Sequence, residues 1–213
     1  MTTKNMIRWS GFAFILAGVL MALATIIHPS TETPQSILME EGRLITAHWL
    51  YTFYSVFVLL GLPGVYALHS REMGRTGLAG FLLLFFGTIF YAVSSDYGFN
   101  APVLARMAPQ TLDAINAYLP VAIMDALMVL CMFPGFILFG IAMHRSLAFP
   151  RWSGLLVAFG WPLFIIMSAM SLFLLPQLWI FAIFGTILAG AGLASVGYAM
   201  WVAKGKEIMQ PIG

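Results

Sequence analysis

The chain has 213 residues, of which 61% are hydrophobic and only 8% charged, with a formal net charge of +2. That composition lies outside the range of a soluble domain, even one with a large core, and places the chain among integral membrane proteins. Its basic residues stand singly beside apolar runs and form no tract able to follow a phosphate backbone, so no nucleic-acid partner is expected.

Six apolar runs follow one another at 11–28, 44–68, 77–95, 118–143, 154–175 and 178–203. Each is near the roughly 20 residues that cross a bilayer core. The expected fold is therefore all-α, a polytopic bundle of six transmembrane helices forming one membrane domain over 1–213. Charge sorts by side. Lys4, Arg8, Arg71, Arg75, Arg145, Arg151, Lys204 and Lys206 fall in alternate connections, whereas Arg43 and Arg106 lie on the other side with Glu32, Glu40, Glu41, Asp96 and Asp113. Positive charge is retained in the cytoplasm, so both termini are expected inside.

The first run, preceded by Lys4 and Arg8 and containing Ala22-Leu23-Ala24, has the outline of a secretory signal. It is about a full span, longer than a signal core, and its opening recurs at the fifth run, so the first helix is read as retained. That opening, Arg8-Trp9-Ser10-Gly11, returns as Arg151-Trp152-Ser153-Gly154 and more weakly as Arg75-Thr76-Gly77. The returning runs end alike at 66–69, 141–144 and 198–201. Two readings stand: interface-suited residues recurring by composition, or three tandem hairpins at 8–70, 75–146 and 151–204.

Pro63, Pro134 and Pro162 fall inside runs and each removes a backbone donor, so a local kink is expected at each. The loop after the third run carries Val103, Leu104, Met107, Leu112 and Ile115 among polar residues, the pattern of a short amphipathic helix interrupted by Pro109. Cys131 lies within the fourth run and is read as packing, as are the fourteen dispersed methionines. In the sixth run Gly185, Ala189, Gly190, Gly192, Ala194 and Gly197 permit close backbone approach, which predicts a centrally packed helix.

Ionisable groups inside or at the ends of spans are costly and mark candidate sites. Asp125 sits about two turns inside the fourth run, and His48 has a similar depth on the second; His28 closes the first run and Asp96 the third, all toward the outer side. His28, His48, Asp96 and Asp125 are therefore the candidate ligand-binding residues of a polar outer pocket. As imidazoles and carboxylates they are also the candidate ligands of a divalent metal. No His-x-x-x-His or Glu-x-x-His spacing places two of them on one helix face, so convergence depends on packing. Glu40, Glu41 and Tyr51 are candidate supporting residues. Haem is disfavoured, because His48 and His69 are about 31 Å apart by helical rise, nearly the whole hydrocarbon thickness. No phosphate loop, nucleophile elbow or His-Glu-x-x-His occurs, and no catalytic residue is assigned.

Ile7-Arg8-Trp9-Ser10-Gly11 with His28-Pro29, then Ala47-His48-Trp49 and Leu59-Leu60-Gly61-Leu62, resembles bacterial multi-pass membrane proteins grouped as domains of unknown function. The resemblance covers mainly the first two spans. It implies a bacterial inner-membrane location and assigns no reaction. Three functional readings remain open at this point. The first is a small-ligand- or metal-binding or sensing protein with an outer polar pocket. The second is an accessory subunit held by partner chains of a larger membrane complex, favoured by the near absence of extramembrane mass. The third is a membrane-embedded metalloenzyme or haem protein.

Overall fold

The computed structural model describes residues 2–116 and 118–202, with the backbone alone for 69–73, 113, 116, 172 and 173. Lys204 and Lys206 lie outside the described residues, as do the side chains of His69, Arg71 and Asp113. Among the described residues every regular element is helical: α1 (Thr3–Ile27), α2 (Pro34–Met39), α3 (Glu41–Ser94), α4 (Tyr97–Met107), α5 (Thr111–Asn116), α6 (Leu119–Arg145), α7 (Arg151–Phe173) and α8 (Trp179–Val202), with a 3-10 turn at Pro176–Leu178. Six stretches are long and apolar enough to cross a membrane: Thr3–Ile27, Glu41–Leu68, Gly74–Met107, Leu119–Arg145, Arg151–Ser171 and Pro176–Val202. The chain is an all-α bundle of six spans.

Residues 41–94 form one helical run of 54 residues, about 80 Å if straight. It is folded back on itself. Tyr51 meets Tyr91 at 5.7 Å and Tyr66 meets Phe81 at 5.2 Å between ring centroids, so its two halves are antiparallel. Gly74, at φ 56°, takes the left-handed conformation that a side chain would strain. The helices continue through Pro63, Pro134 and Pro162.

The spans close into a ring in chain order: α1 packs on α3 and α8, α3 on α6, α6 on α7, and α7 on α8. Both described ends of the chain lie together, since the Arg8 guanidinium sits 4.7 Å over the Trp201 ring and Trp9 is 6.1 Å from Trp201. The opposite, far end carries α2, α4 and α5. Trp161 fills the ring's interior, stacked on Phe136 at 5.0 Å and edge-on to Tyr91 at 5.9 Å. The outer faces are apolar instead: Phe159 is 68% and Leu130 67% exposed, as lipid-facing side chains must be.

Close approach between helices is made by glycine. A Cβ on Gly18 would overlap the Gly190 carbonyl, one on Gly11 would press on Gly197, and one on Gly160 would overlap Ala189. The small residues of α8 thus lie in two stripes, Gly190 and Gly197 toward α1, Gly185, Ala189 and Gly192 toward α7. This corrects the expectation of a central last helix. α8 is one member of the ring, and its small residues serve two neighbours on different faces.

The segment after the third apolar run is helical and is interrupted at Pro109, as its pattern predicts. α4 begins at Tyr97, directly after α3, and Ala108-Pro109-Gln110 separates it from α5. Pro102 is accommodated inside α4. Ala101, Ala105 and Leu112 bury themselves with Ile37 of α2 and Leu44 of α3, so these short helices cap the far end through a second small core.

These packings give a direct test. Gly18→Ala is expected to lower the thermal midpoint of the detergent-solubilised protein by several degrees. Gly42→Ala, where a Cβ meets nothing within 4 Å, is expected to leave it unchanged or raise it through better helix propensity. Equal effects of the two changes would show that glycine contact does not set the α1–α8 distance.

Candidate functional site

α1 stops where Pro29 follows His28. The His28 backbone N–H still donates to Ala24 O at 2.9 Å, and the Pro29 carbonyl stands beyond the helix. His28 Nδ1 lies 2.7 Å from that carbonyl and His48 Nδ1 lies 2.8 Å from Ser95 O at the end of α3. A carbonyl oxygen can only accept, so both Nδ1 atoms carry the proton and donate. In the neutral rings each Nε2 is then a bare lone pair. The two Nε2 atoms face each other at 3.3 Å.

The pair is tightly held. His28 is 6% and His48 7% exposed. Tyr51 lies 5.9 Å from the first ring and 5.7 Å from the second, and donates its hydroxyl to Thr25 Oγ1 at 3.2 Å. Trp179, at the start of α8, covers His28 at 5.4 Å. Gly98, in the first turn of α4, lies so close to the His48 imidazole that a Cβ there would overlap the ring.

Glu32, on the connection between α1 and α2, brings Oε1 to 3.5 Å from His28 Nε2. Burial holds the His28 imidazole below its ordinary value, at about 4, a shift partly offset by the Pro29 hydrogen bond. Burial likewise pushes the Glu32 carboxyl up, opposed by the neighbouring His48. Both shifts have the same largest cause: a charge in this corner loses its water.

Glu32 also lines a cavity of about 1190 Å³ that opens at the far end. Asp96 and Asp125 stand on the same wall, with Val93, Val103, Leu104, Val121 and Met124 as its apolar parts. Asp125 is half-buried and accepts from Ser94 Oγ at 2.8 Å; Asp96 accepts from the Asn100 amide at 2.9 Å. The nearby cations are engaged by other carboxylates. Arg43 pairs with Glu40, and Arg106 pairs with Glu41 across from α4 to α3. Those pairs take up Glu40 and Glu41, while Tyr51 does support both histidines.

The four candidate residues therefore separate into two pairs at one end of the bundle. His28 and His48 touch. Asp96 and Asp125 share the cavity wall, and Glu32 belongs to both places. Among the described residues, no three His, Cys, Asp or Glu side chains close around a common point. The histidine rings, with centroids 5.3 Å apart, leave no room for a porphyrin plane between them.

Glu32 was missed as a site residue because it reads as one more acid in an acidic connection, and only the path of the chain after Pro29 brings it back to His28. Ser94, Gly98 and Trp179 reach the site from remote segments and carry no local motif. No family model, curated protein or solved structure matches the chain. The chain is an integral membrane protein of six spans, in contact with a lipid bilayer.

Gly98→Ala is expected to destabilise the protein by about 1–3 kcal/mol, because overpacking forces the His48 ring off its carbonyl. In the His48→Ala background the vacated space should absorb the methyl group, so most of that cost disappears. Additive losses in this double-mutant cycle would show that Gly98 does not position His48.

Proposed function

We propose that the chain is a small-ligand-binding protein of a bacterial inner membrane, with both termini cytoplasmic and the far end facing out. The orientation is supported by sorted charge: Lys4, Arg8, Arg75, Arg145 and Arg151 lie at the end bearing the termini, the side on which short basic connections are retained. The ligand we assign is a small organic cation with an apolar part. The observation that carries this is the far-end cavity, whose ionisable lining residues, Glu32, Asp96 and Asp125, are all acidic and whose remaining wall is largely apolar. At about 1190 Å³ it accommodates a drug-sized molecule. A carboxylate near a low-dielectric wall attracts a weakly hydrated cation more strongly than the same carboxylate in water. The Arg43–Glu40 and Arg106–Glu41 pairs engage the two described arginines at that end, and among the described residues the cavity lining holds no lysine or arginine to oppose a bound cation.

Orientation is tested by cysteine labelling in a Cys131→Ala background. Met107 is 81% and Leu147 85% exposed, at opposite ends of the bundle. A membrane-impermeant maleimide added to intact cells is expected to label Met107→Cys and to leave Leu147→Cys unlabelled until the cells are opened. The reverse pattern would invert the topology.

Binding is tested with benzyltrimethylammonium on the purified full chain in detergent, by calorimetry at two salt concentrations. The expected result is saturable binding that weakens with salt and falls at least tenfold in Asp125→Asn. Binding of equal strength in that variant, or no binding to the folded wild type, would remove the cation reading.

A further inference from the structure

The histidine pair is left unexplained by an organic cation in the cavity, since its two lone pairs point at each other and not into open space. In two neutral rings whose Nδ1 atoms both donate, the Nε2 acceptors at 3.3 Å repel unless a proton or a metal ion is shared between them. We propose that His28 Nε2, His48 Nε2 and the Glu32 carboxylate form a binding site for one divalent transition-metal ion, of the class of zinc.

Three observations converge on it. A tetrahedral site with metal–nitrogen bonds of about 2.0–2.1 Å sets its ligand atoms about 3.3 Å apart. The Nε2–Nε2 distance of 3.3 Å and the Nε2–Oε1 distance of 3.5 Å are close to two edges of such a tetrahedron, and the third ligand edge, from His48 to Glu32, is the one that has still to close. Next, both Nδ1 atoms donate to backbone carbonyls, Pro29 O and Ser95 O, the arrangement that fixes a metal-binding imidazole in the tautomer with Nε2 free and holds its ring. Last, Glu32 connects the pair to the far-end cavity, which supplies a route for the ion and an open fourth position for water or ligand. Glu32 sits on a connection between helices, and a rotation of its side chain is what closes the three ligands on one point. Zinc fits better than magnesium or calcium because two of three donors are imidazole nitrogens.

The inference does not depend on the organic cation, and its test is separate from that one. Tag-free full-length protein in detergent is stripped with EDTA and titrated with Co²⁺, read by visible absorption, and with Zn²⁺, read by calorimetry. One equivalent of either metal per chain is expected, with the intense visible bands of tetrahedral cobalt. His28→Gln and His48→Gln are each expected to abolish the cobalt bands, and Glu32→Gln to weaken affinity at least tenfold. His144→Gln is expected to bind as wild type. Glu32 is partly exposed, so its variant reads out ligation even where a buried histidine variant fails to fold. A folded wild type that binds no metal, or binding that survives His48→Gln and Glu32→Gln, would overturn the site. Loss of metal binding in His144→Gln alone would place the metal on the surface and overturn it equally.

Discussion

No water reaches the hydrocarbon core, so every backbone donor and acceptor of a spanning segment must be paired within its own helix, and helices then have little apolar driving force to associate. What remains is close packing, which is why glycine recurs where helices cross. Gly18 against Gly190 and Gly11 against Gly197 bring α1 to α8, Gly160 against Ala189 brings α7 to α8, and Gly80 and Gly87 bring the second half of α3 against Phe139 and Met132 of α6. The ring closes because its first and last helices meet this way. Its polar chemistry is consequently displaced from the spans to their far ends, where backbone groups are no longer all satisfied.

The histidine pair follows from that displacement. A helix leaves its last carbonyls without intrahelical donors. Where α1 and α3 end, the neighbouring carbonyls of Pro29 and Ser95 are met by imidazole N–H groups instead of water. Capping two helix ends in this manner aims two Nε2 lone pairs at one place. Arg43 serves the same need, donating through Nε to Ile27 O at 3.1 Å while pairing with Glu40. The far end is therefore built from solutions to one problem, and the orientation of its reactive atoms is set by backbone, which is harder to disturb than side-chain contacts.

How much of this was legible in the sequence depended on whether the signal was local. The six spans were, because length and hydropathy are properties of a continuous run. The two-sided distribution of charge was legible for the same reason, although the far-end connections turned out to be mostly helical, with α2, α4 and α5 joined by a small core around Ile37, Leu44 and Leu112. His28, His48 and Asp125 stood out because an ionisable group in an apolar run is costly wherever it lies. Their grouping was not legible. Which of them touch depends on ring order and on turns such as Pro29, and Glu32 looked like one more acid in an acidic loop. The role of the small residues in α8 was half legible: their density implied close contact, but only the helix phase shows that they face two partners.

Below the histidines the interior is filled. Tyr51 touches both imidazoles and Tyr91, Tyr91 touches Tyr54 and Trp161, and Trp161 stacks on Phe136 and meets Phe164 at 5.6 Å. This chain of rings crosses the ring of helices where a conducting pathway would need open space or a file of polar groups. At the other end the bundle is drawn shut by the Gly11–Gly197 contact, the hydrogen bond from Ser10 Oγ to Leu60 O at 2.9 Å, and Trp9 and Trp201 beneath Arg8. None of these rings lines the far-end cavity, whose walls come from Glu32 and from α3, α4, α5 and α6, so the cavity and the packed interior are separate features of the bundle. Opening the interior would require Trp161, Tyr54 and Tyr91 to part together. That motion would expose interdigitated side chains to one another's absence, because a packed interior gains its cohesion only from contacts at full density. Between its two ends the bundle therefore rests on a densely packed interior, and the polar groups at the far end are arranged against a fixed framework.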